Sequence, residues 1–189
     1  MRQLATSLGA GAMSLYNHVS DKDDLLDRMV DVAAAEIDLP KPMGDWKPHL
    51  RECAISAYRV MLRHRWLAGL WSRQPGAAKN RYHEALLAVM REAGFPAELA
   101  CRGFHAITMH VVGFALQVLE MPFSSRQQLR AFAKESLAQL SEEEFPHLRE
   151  HIRFHLAGHD QRNDFKYMLD LILDGLERDL ALVAAASGR

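Results

Sequence analysis

Four histidines, His147, His151, His155 and His159, recur every four residues near the C-terminal end of the sequence. At that spacing two imidazoles lie on one helical face, close enough to share a metal ion. Glu144, three residues before His147, adds a Glu-x-x-His pair of the kind that ligates iron in helical carboxylate bundles. Three features argue against such a centre: Pro146 falls inside the Glu144–His147 pair, a second Glu-x-x-His is absent, and Gly158 would end the helix before His159. A solvated or partly buried histidine face is the simpler reading, so His147, His151 and His155 stay as weak metal candidates and no cofactor is expected. The sequence holds no nucleophile elbow, Walker loop, dinucleotide fingerprint or Cys-x-x-Cys pair, and an enzyme is not expected.

A second cluster lies in LATSLGAGAMSLYNHVSDKDDLL, residues 4–26. The stretch reads as a short helix, a turn at Gly9, a second short helix and a capped third one, which is the grammar of a helix-turn-helix. Leu4, Ala5 and Leu8 would bury the first helix, and Leu15 and Val19 the second. Met13, Ser14, Tyr16, Asn17 and His18 then face outward, with donors, acceptors and apolar surface suited to a DNA groove, while Arg2 and Lys22 could meet phosphates.

The elements that must position these groups are helices. Apolar residues recur at spacings of three and four almost throughout, which makes the fold all-α, with helices expected at 2–8, 12–18, 22–37, 46–65, 75–93, 97–120, 126–140, 145–157 and 161–185. Ser20, Asp45, Ser125 and Ser141 read as N-caps; Gly94 with Pro96, and Gly158 with Asp160, mark stops and restarts. The segment Leu39–Gly44, with two prolines and a glycine, is the natural linker between a unit of residues 1–38 and one of 45–189.

At 189 residues and 49% hydrophobic content, the chain is long enough to bury a sizeable core. Its net charge of -1 neither demands nor excludes nucleic acid. Two well-separated cysteines, Cys53 and Cys101, and no signal-peptide pattern make the cytoplasm the default compartment, and no apolar run of roughly 18 residues suggests a membrane span.

In its motifs the chain resembles the tetracycline-repressor (TetR) family. Leu4-Ala5, Leu8-Gly9, Leu15-Tyr16-Asn17-His18-Val19 and Lys22-Asp23-Asp24-Leu25-Leu26 match that family's second, third and fourth helices without a gap, and Phe165, Leu169, Leu173 and Asp174-Gly175-Leu176-Glu177 resemble its closing helix. The resemblance implies a ligand-responsive repressor that binds a palindromic operator as a homodimer. It also implies that the last helix pairs with the one before it at the dimer interface, where the stripe Phe165, Leu169, Ile172, Leu176, Leu180 and Val183 would pack. The alternatives are a helical ligand-binding dimer that does not read DNA and, more distantly, a metal-binding helical-bundle enzyme.

The middle helices of the family enclose a small-molecule effector. Here they supply Tyr58, Met61, Trp66, Trp71, His83, His105 and Met109 as candidate lining, although aromatics and methionines at helical spacing also simply fill cores. The resemblance places Leu70 where the tetracycline repressor has its metal-binding histidine, and Gln74, next to Arg73, at a nearby arginine position; Glu120 is the candidate for an acid from the partner subunit. Leucine cannot ligate a metal, so a magnesium–tetracycline chelate is not expected to be the effector. In the family a further helix precedes the segment that starts at Met1. On that resemblance Met1 would be an internal methionine. Without that helix Leu4, Leu8, Leu15 and Val19 would lack an apolar cover, and residues 1–38 carry Arg2, Lys22 and Arg28 against seven acids, a net of -4; both lead us to expect weak DNA binding or none.

Overall fold

The computed structural model describes residues 1–41, 44–121, 125–157 and 161–187. Pro42 in the expected linker, the expected stop at Gly158 and Asp160, and His159 lie outside the described residues. Among those described the fold is all-α, in the order α1 (Arg2–Ser7), α2 (Ala12–Tyr16), α3 (Lys22–Ala34), α4 (Trp46–Arg63), α5 (Leu67–Leu70), α6 (Ala77–Glu92), α7 (Ala97–Glu120), α8 (Arg126–Gln139), α9 (Pro146–Leu156) and α10 (Gln161–Ser187).

Gly9, at φ +65°, makes the turn between α1 and α2. Only Ala5 of α1 is buried; Leu4 and Leu8, read as the inward side of this helix but expected to lack a cover, are exposed, Leu8 to 63%. The reason is local, since α1 packs on α2 and turns only Ala5 inward. The α3 cap falls one residue later than expected. Asp21 accepts from the Asp24 N–H at 2.8 Å, and the Asp24 carboxylate accepts from the Ser20 N–H at 2.8 Å, a reciprocal arrangement that satisfies two helix-end donors. From there α3 sends Val30, Ala33 and Ala34 into the same core as α4 and α6.

Asp45 caps α4 as expected, accepting from the Lys47 N–H at 3.1 Å. Leu50, Cys53, Ala54, Ala57, Tyr58 and Met61 follow at alternating steps of three and one, one helical face, and are buried. The short α5 was not anticipated: four residues, Leu67–Leu70, are too few to show a period. Gly94, at φ +90°, ends α6, and Pro96 is the N-cap of α7 rather than its first helical residue.

By length and composition α7 could cross a membrane, contrary to the sequence reading, yet its Ala100, Gly103, Ile107, Val111 and Ala115 are buried against α4, α6 and α10. Gly103 allows the close approach: a Cβ there would stand 2.9 Å from Met90 Sδ and 3.1 Å from Leu176 Cδ1. The stripe expected to form an interface is for the most part internal. Phe165, Leu169 and Leu176 of α10 are buried within the chain, joined by Leu173, while Ile172, Leu180 and Val183 are half-buried. Period alone could not tell an internal partner from a second subunit. Ion pairs fix α4 along α10, with Arg51 Nε 2.6 Å from Asp170 and Lys47 Nζ 2.7 Å from Asp174 and 2.6 Å from Glu177.

Ser125 caps α8 as expected, its hydroxyl accepting from the Gln128 N–H at 3.2 Å. Ser141 instead caps a turn over 142–144, and α9 starts at Pro146 behind Phe145. Glu144 therefore lies in that turn, off the helix that carries the histidines. Arg149 Nη1 closes the C-terminal end of α8 by donating to the Leu137 carbonyl at 2.6 Å and the Leu140 carbonyl at 2.5 Å. Helices α8 and α9 thus pack chiefly on each other and leave space between themselves and the rest of the bundle.

Candidate functional site

That space is a cavity of about 830 Å³. Phe114, Gln117, Val118 and Met121 of α7 and its end form one wall, and Leu129, Phe132, Ala133 and Ser136 of α8 face them. Helix α9 contributes His151, Ile152, Phe154 and His155, and the start of α10 contributes Asp164, Tyr167 and Met168. A stacked aromatic base supports the wall at Phe114. Tyr58 and Phe165 stack at 4.1 Å, His110 and Phe165 at 4.7 Å, and Phe114 meets Phe165 edge-on at 5.4 Å. The His110 Nε2 atom is 2.9 Å from the Phe165 carbonyl oxygen, and burial holds the His110 pKa below the usual imidazole range. Chemically the cavity offers aromatic and aliphatic surface with a few convergent polar groups, the usual make-up of a small-molecule site.

Of the lining expected from the sequence, none borders this cavity. Tyr58, Met61 and Trp71 are buried in the core. Leu70 is half-buried at the end of α5; Gln74, His105, Met109 and Glu120 are exposed. His83 is half-buried among the rings of Trp71, Tyr82 and Phe104, and burial together with nearby Lys79 lowers its pKa. Trp66 borders a smaller groove of about 300 Å³ beside Leu25, Met29, Val32 and His64. The residues that the sequence reading missed are Phe132, Ser136 and Phe154, from α8 and α9, which bury little else, and Tyr167, from the side of α10 opposite its buried core stripe. Their four-residue step, Phe132 to Ser136, was the available signal.

Arg73 has a different role from the one considered for it. Its Nε stands 2.6 Å from Asp27 Oδ1 and its Nη2 2.8 Å from Asp23 Oδ1, both on α3. Hydrogen bonds to Asp23 and then Asp27 raise its pKa. Close by, Asp31 Oδ1 accepts from the Lys79 N–H at 2.9 Å, and a Cβ on Gly76 would collide with the Asp31 carboxylate. Lys79 turns inward, its Nζ donating to the carbonyls of Trp71 and Arg73. The segment 71–79 is therefore fastened to α3. Arg73 also neutralises acids that a count over 1–38 leaves unpaired, as does Arg63 at Glu36, whose carboxylate also makes a hydrogen-bond contact with the His64 Nε2.

The expected second helix over 12–18 ends at Tyr16, so Asn17 and His18 lie in the turn that follows α2, but all five residues expected to face outward are exposed. Met13 is 77% exposed, and Ser14, Tyr16, Asn17 and His18 are exposed as well, with Val19 buried behind them. Arg2 and Lys22 are exposed at the starts of α1 and α3. On α9, His151 and His155 come together, whereas His147 is exposed at the helix start; among the described residues no three potential ligands gather as a metal cluster.

A family profile described as tetracyclin repressor-like, C-terminal domain, matches residues 39–180. The chain belongs to the tetracycline-repressor family. It is 37% identical over 116 residues to an HTH-type transcriptional regulator of Saccharopolyspora erythraea, an alignment covering 60% of this chain and 49% of that protein. It is 32% identical over 192 residues to the class A tetracycline repressor protein from transposon 1721 of Escherichia coli, covering 99% of this chain and 85% of that protein. The chain thus spans about half the length of the first relative and most of the second. Among solved TetR-family structures it is similar to Streptomyces coelicolor ActR in complex with actinorhodin, with a TM-score of 0.79, 29% identity, and coverage of 95% of this chain and 87% of that one. The relatives are transcriptional regulators rather than enzymes.

Proposed function

We propose that this chain is a cytoplasmic, homodimeric repressor that reads a palindromic operator with α2 and releases it when a small molecule occupies the cavity bounded by α7, α8, α9 and α10. The observation that carries the reading is the outer surface of α2 and the turn after it, where Met13, Ser14 and Tyr16 of the helix and Asn17 and His18 of the turn stand exposed, with Ala5 and Val19 buried beneath. Residues 1–38 form the DNA-reading part and 45–189 the effector and dimer part. In a dimer the two α2 helices must meet successive major grooves, roughly 34 Å apart, so a small change in their separation abolishes fit.

The ActR complex, in which a related protein holds actinorhodin, supports a small-molecule effector for this chain. Aromatic compounds with a few polar groups suit the cavity's Phe114, Phe132 and Tyr167 beside Gln117 and Ser136. An effector that spreads α7 from α10 would act on α6, which packs on α7 and on α3, and α3 is held by Arg73 and Lys79. The coupling is then a difference in effector affinity between the operator-fitting and operator-releasing forms. The exposed apolar surface on α7 and α10, at Met109 and Leu171, supplies the dimer face.

Selection of duplexes from a randomised pool by the purified chain tests this reading. An inverted repeat should be enriched, and Tyr16→Ala or Asn17→Ala should weaken its binding by roughly five- to 150-fold, as expected for loss of one to three kcal/mol of base contact. Enrichment of no sequence, or variants that bind the selected duplex as the wild type does, would remove the support for operator reading.

A further inference from the structure

His151 and His155 sit one turn apart on α9, and both border the cavity. Their Nε2 atoms are 3.3 Å apart, with the rings 4.6 Å between centroids and nearly perpendicular at 84°. Two nitrogens bound at about 2.0–2.1 Å to one tetrahedral ion stand about 3.3 Å from each other. The Nε2 atoms, in mutual hydrogen-bond contact, are thus at the separation of neighbouring ligands on one metal, and a modest rotation of the two side chains that breaks that contact turns both lone pairs onto a single ion while the helix keeps the side chains adjacent. Two histidines four residues apart on one helical face are a known way of gripping a transition metal.

We propose that His151 and His155 bind one divalent transition-metal ion, of the copper, nickel or zinc class, at the wall of the cavity. Imidazole nitrogens select these ions over magnesium and calcium, which prefer oxygen. Each ring gives its Nε2 lone pair and keeps its proton on Nδ1. Two protein ligands leave further coordination positions, which face the cavity and are filled by water until an oxygen or nitrogen donor of an effector replaces it. The exchange of that water for an effector donor rests on the proposed effector role of the cavity; the metal site itself does not.

Calorimetric titration of the full chain with zinc sulfate and nickel chloride, with no effector present, tests the site independently of the effector reading. The measurement uses a Cys101→Ser background, because the Cys101 thiol stands 3.6 Å from His105 Nδ1 and is a competing pair. One ion per chain should bind, magnesium chloride should give no signal, and His151→Ala or His155→Ala should each weaken zinc binding by about tenfold or more, because the second ligand acts within one chelate. Zinc binding by both variants equal to that of the parent overturns the proposal. Paramagnetic resonance of the copper-loaded parent protein provides a check that needs no variant to fold: coupling to two imidazole nitrogens is expected, and coupling to one or none also overturns it.

Discussion

Leu169 and Leu171 lie two residues apart on α10 and face opposite ways, which separates the internal face of this helix from its outer one. Leu169 is 0% exposed and shares the core with Phe165 and Leu173, whereas Leu171 is 55% exposed. Cutting a fully buried leucine to alanine removes its transfer energy and leaves a cavity, at a cost of about 2.7–5 kcal/mol. For a chain of this length each kcal/mol moves the melting midpoint by roughly 2–4 °C, so Leu169→Ala should lower it by about 5–20 °C. An exposed position costs at most about 0.5 kcal/mol within one chain, and Leu171→Glu should act through association instead. Melting followed across protein concentration distinguishes the two. The wild-type midpoint should rise with concentration because dimer formation stabilises the folded state. Leu169→Ala should keep that dependence at a lower midpoint, and Leu171→Glu should lose it and sediment as a monomer. A Leu169→Ala midpoint within about 2 °C of the wild type, or an unchanged concentration dependence in Leu171→Glu, would refute the assignment of these faces.

Magnesium and tetracycline together should leave the melting midpoint where it is, since Leu70 has no donor atom for a metal; binding at one hundred times the dissociation constant would contribute about 2.7 kcal/mol and a shift of roughly 5–11 °C, so such a shift would contradict the pocket reading. The Asp24 carboxyl, held from its ordinary 3.8 down to about 2 first by the hydrogen bond from Arg28 and then by the Ser20 N–H, makes a pH-dependent contribution to stability. Because the folded value lies below the unfolded one, that contribution is present above about pH 4 and disappears as pH falls through about 2. Asp24→Asn should therefore melt below the wild type at neutral pH and converge with it in acid, and a difference that does not change with pH would show that the ion pair is not its source.

Much of the helical pattern was legible because burial and spacing coincide. Asp45 ahead of Trp46 and Leu50, and Ser125 ahead of Gln128, combine a cap with an apolar period, and the helices start there. What sequence could not give was partnership between distant segments. Phe165, Leu169 and Leu176 form an apolar stripe whether they meet α7 or a second subunit; Gly103, more than sixty residues earlier, is what lets them meet α7. Charge counting over 1–38 missed Arg73 for the same reason, since it reaches Asp23 and Asp27 from beyond α5. The candidate lining failed to locate the cavity because aromatic content marks both cores and pockets. The gap arises from α8 and α9 closing on each other through Arg149, a contact between elements that no local period encodes.

Release of DNA by a molecule in the cavity is tested most directly by fluorescence anisotropy of the selected duplex, titrated with fractionated small-molecule extract. Ser136→Trp places a bulky side chain where a half-buried serine now borders the cavity, so that it occupies the effector's space. The wild type should be released from the duplex by at least one fraction, while Ser136→Trp binds the duplex equally tightly and stays bound. If no fraction releases the wild type, or if the same fraction releases both proteins at the same concentration, the cavity is not the site that governs DNA binding.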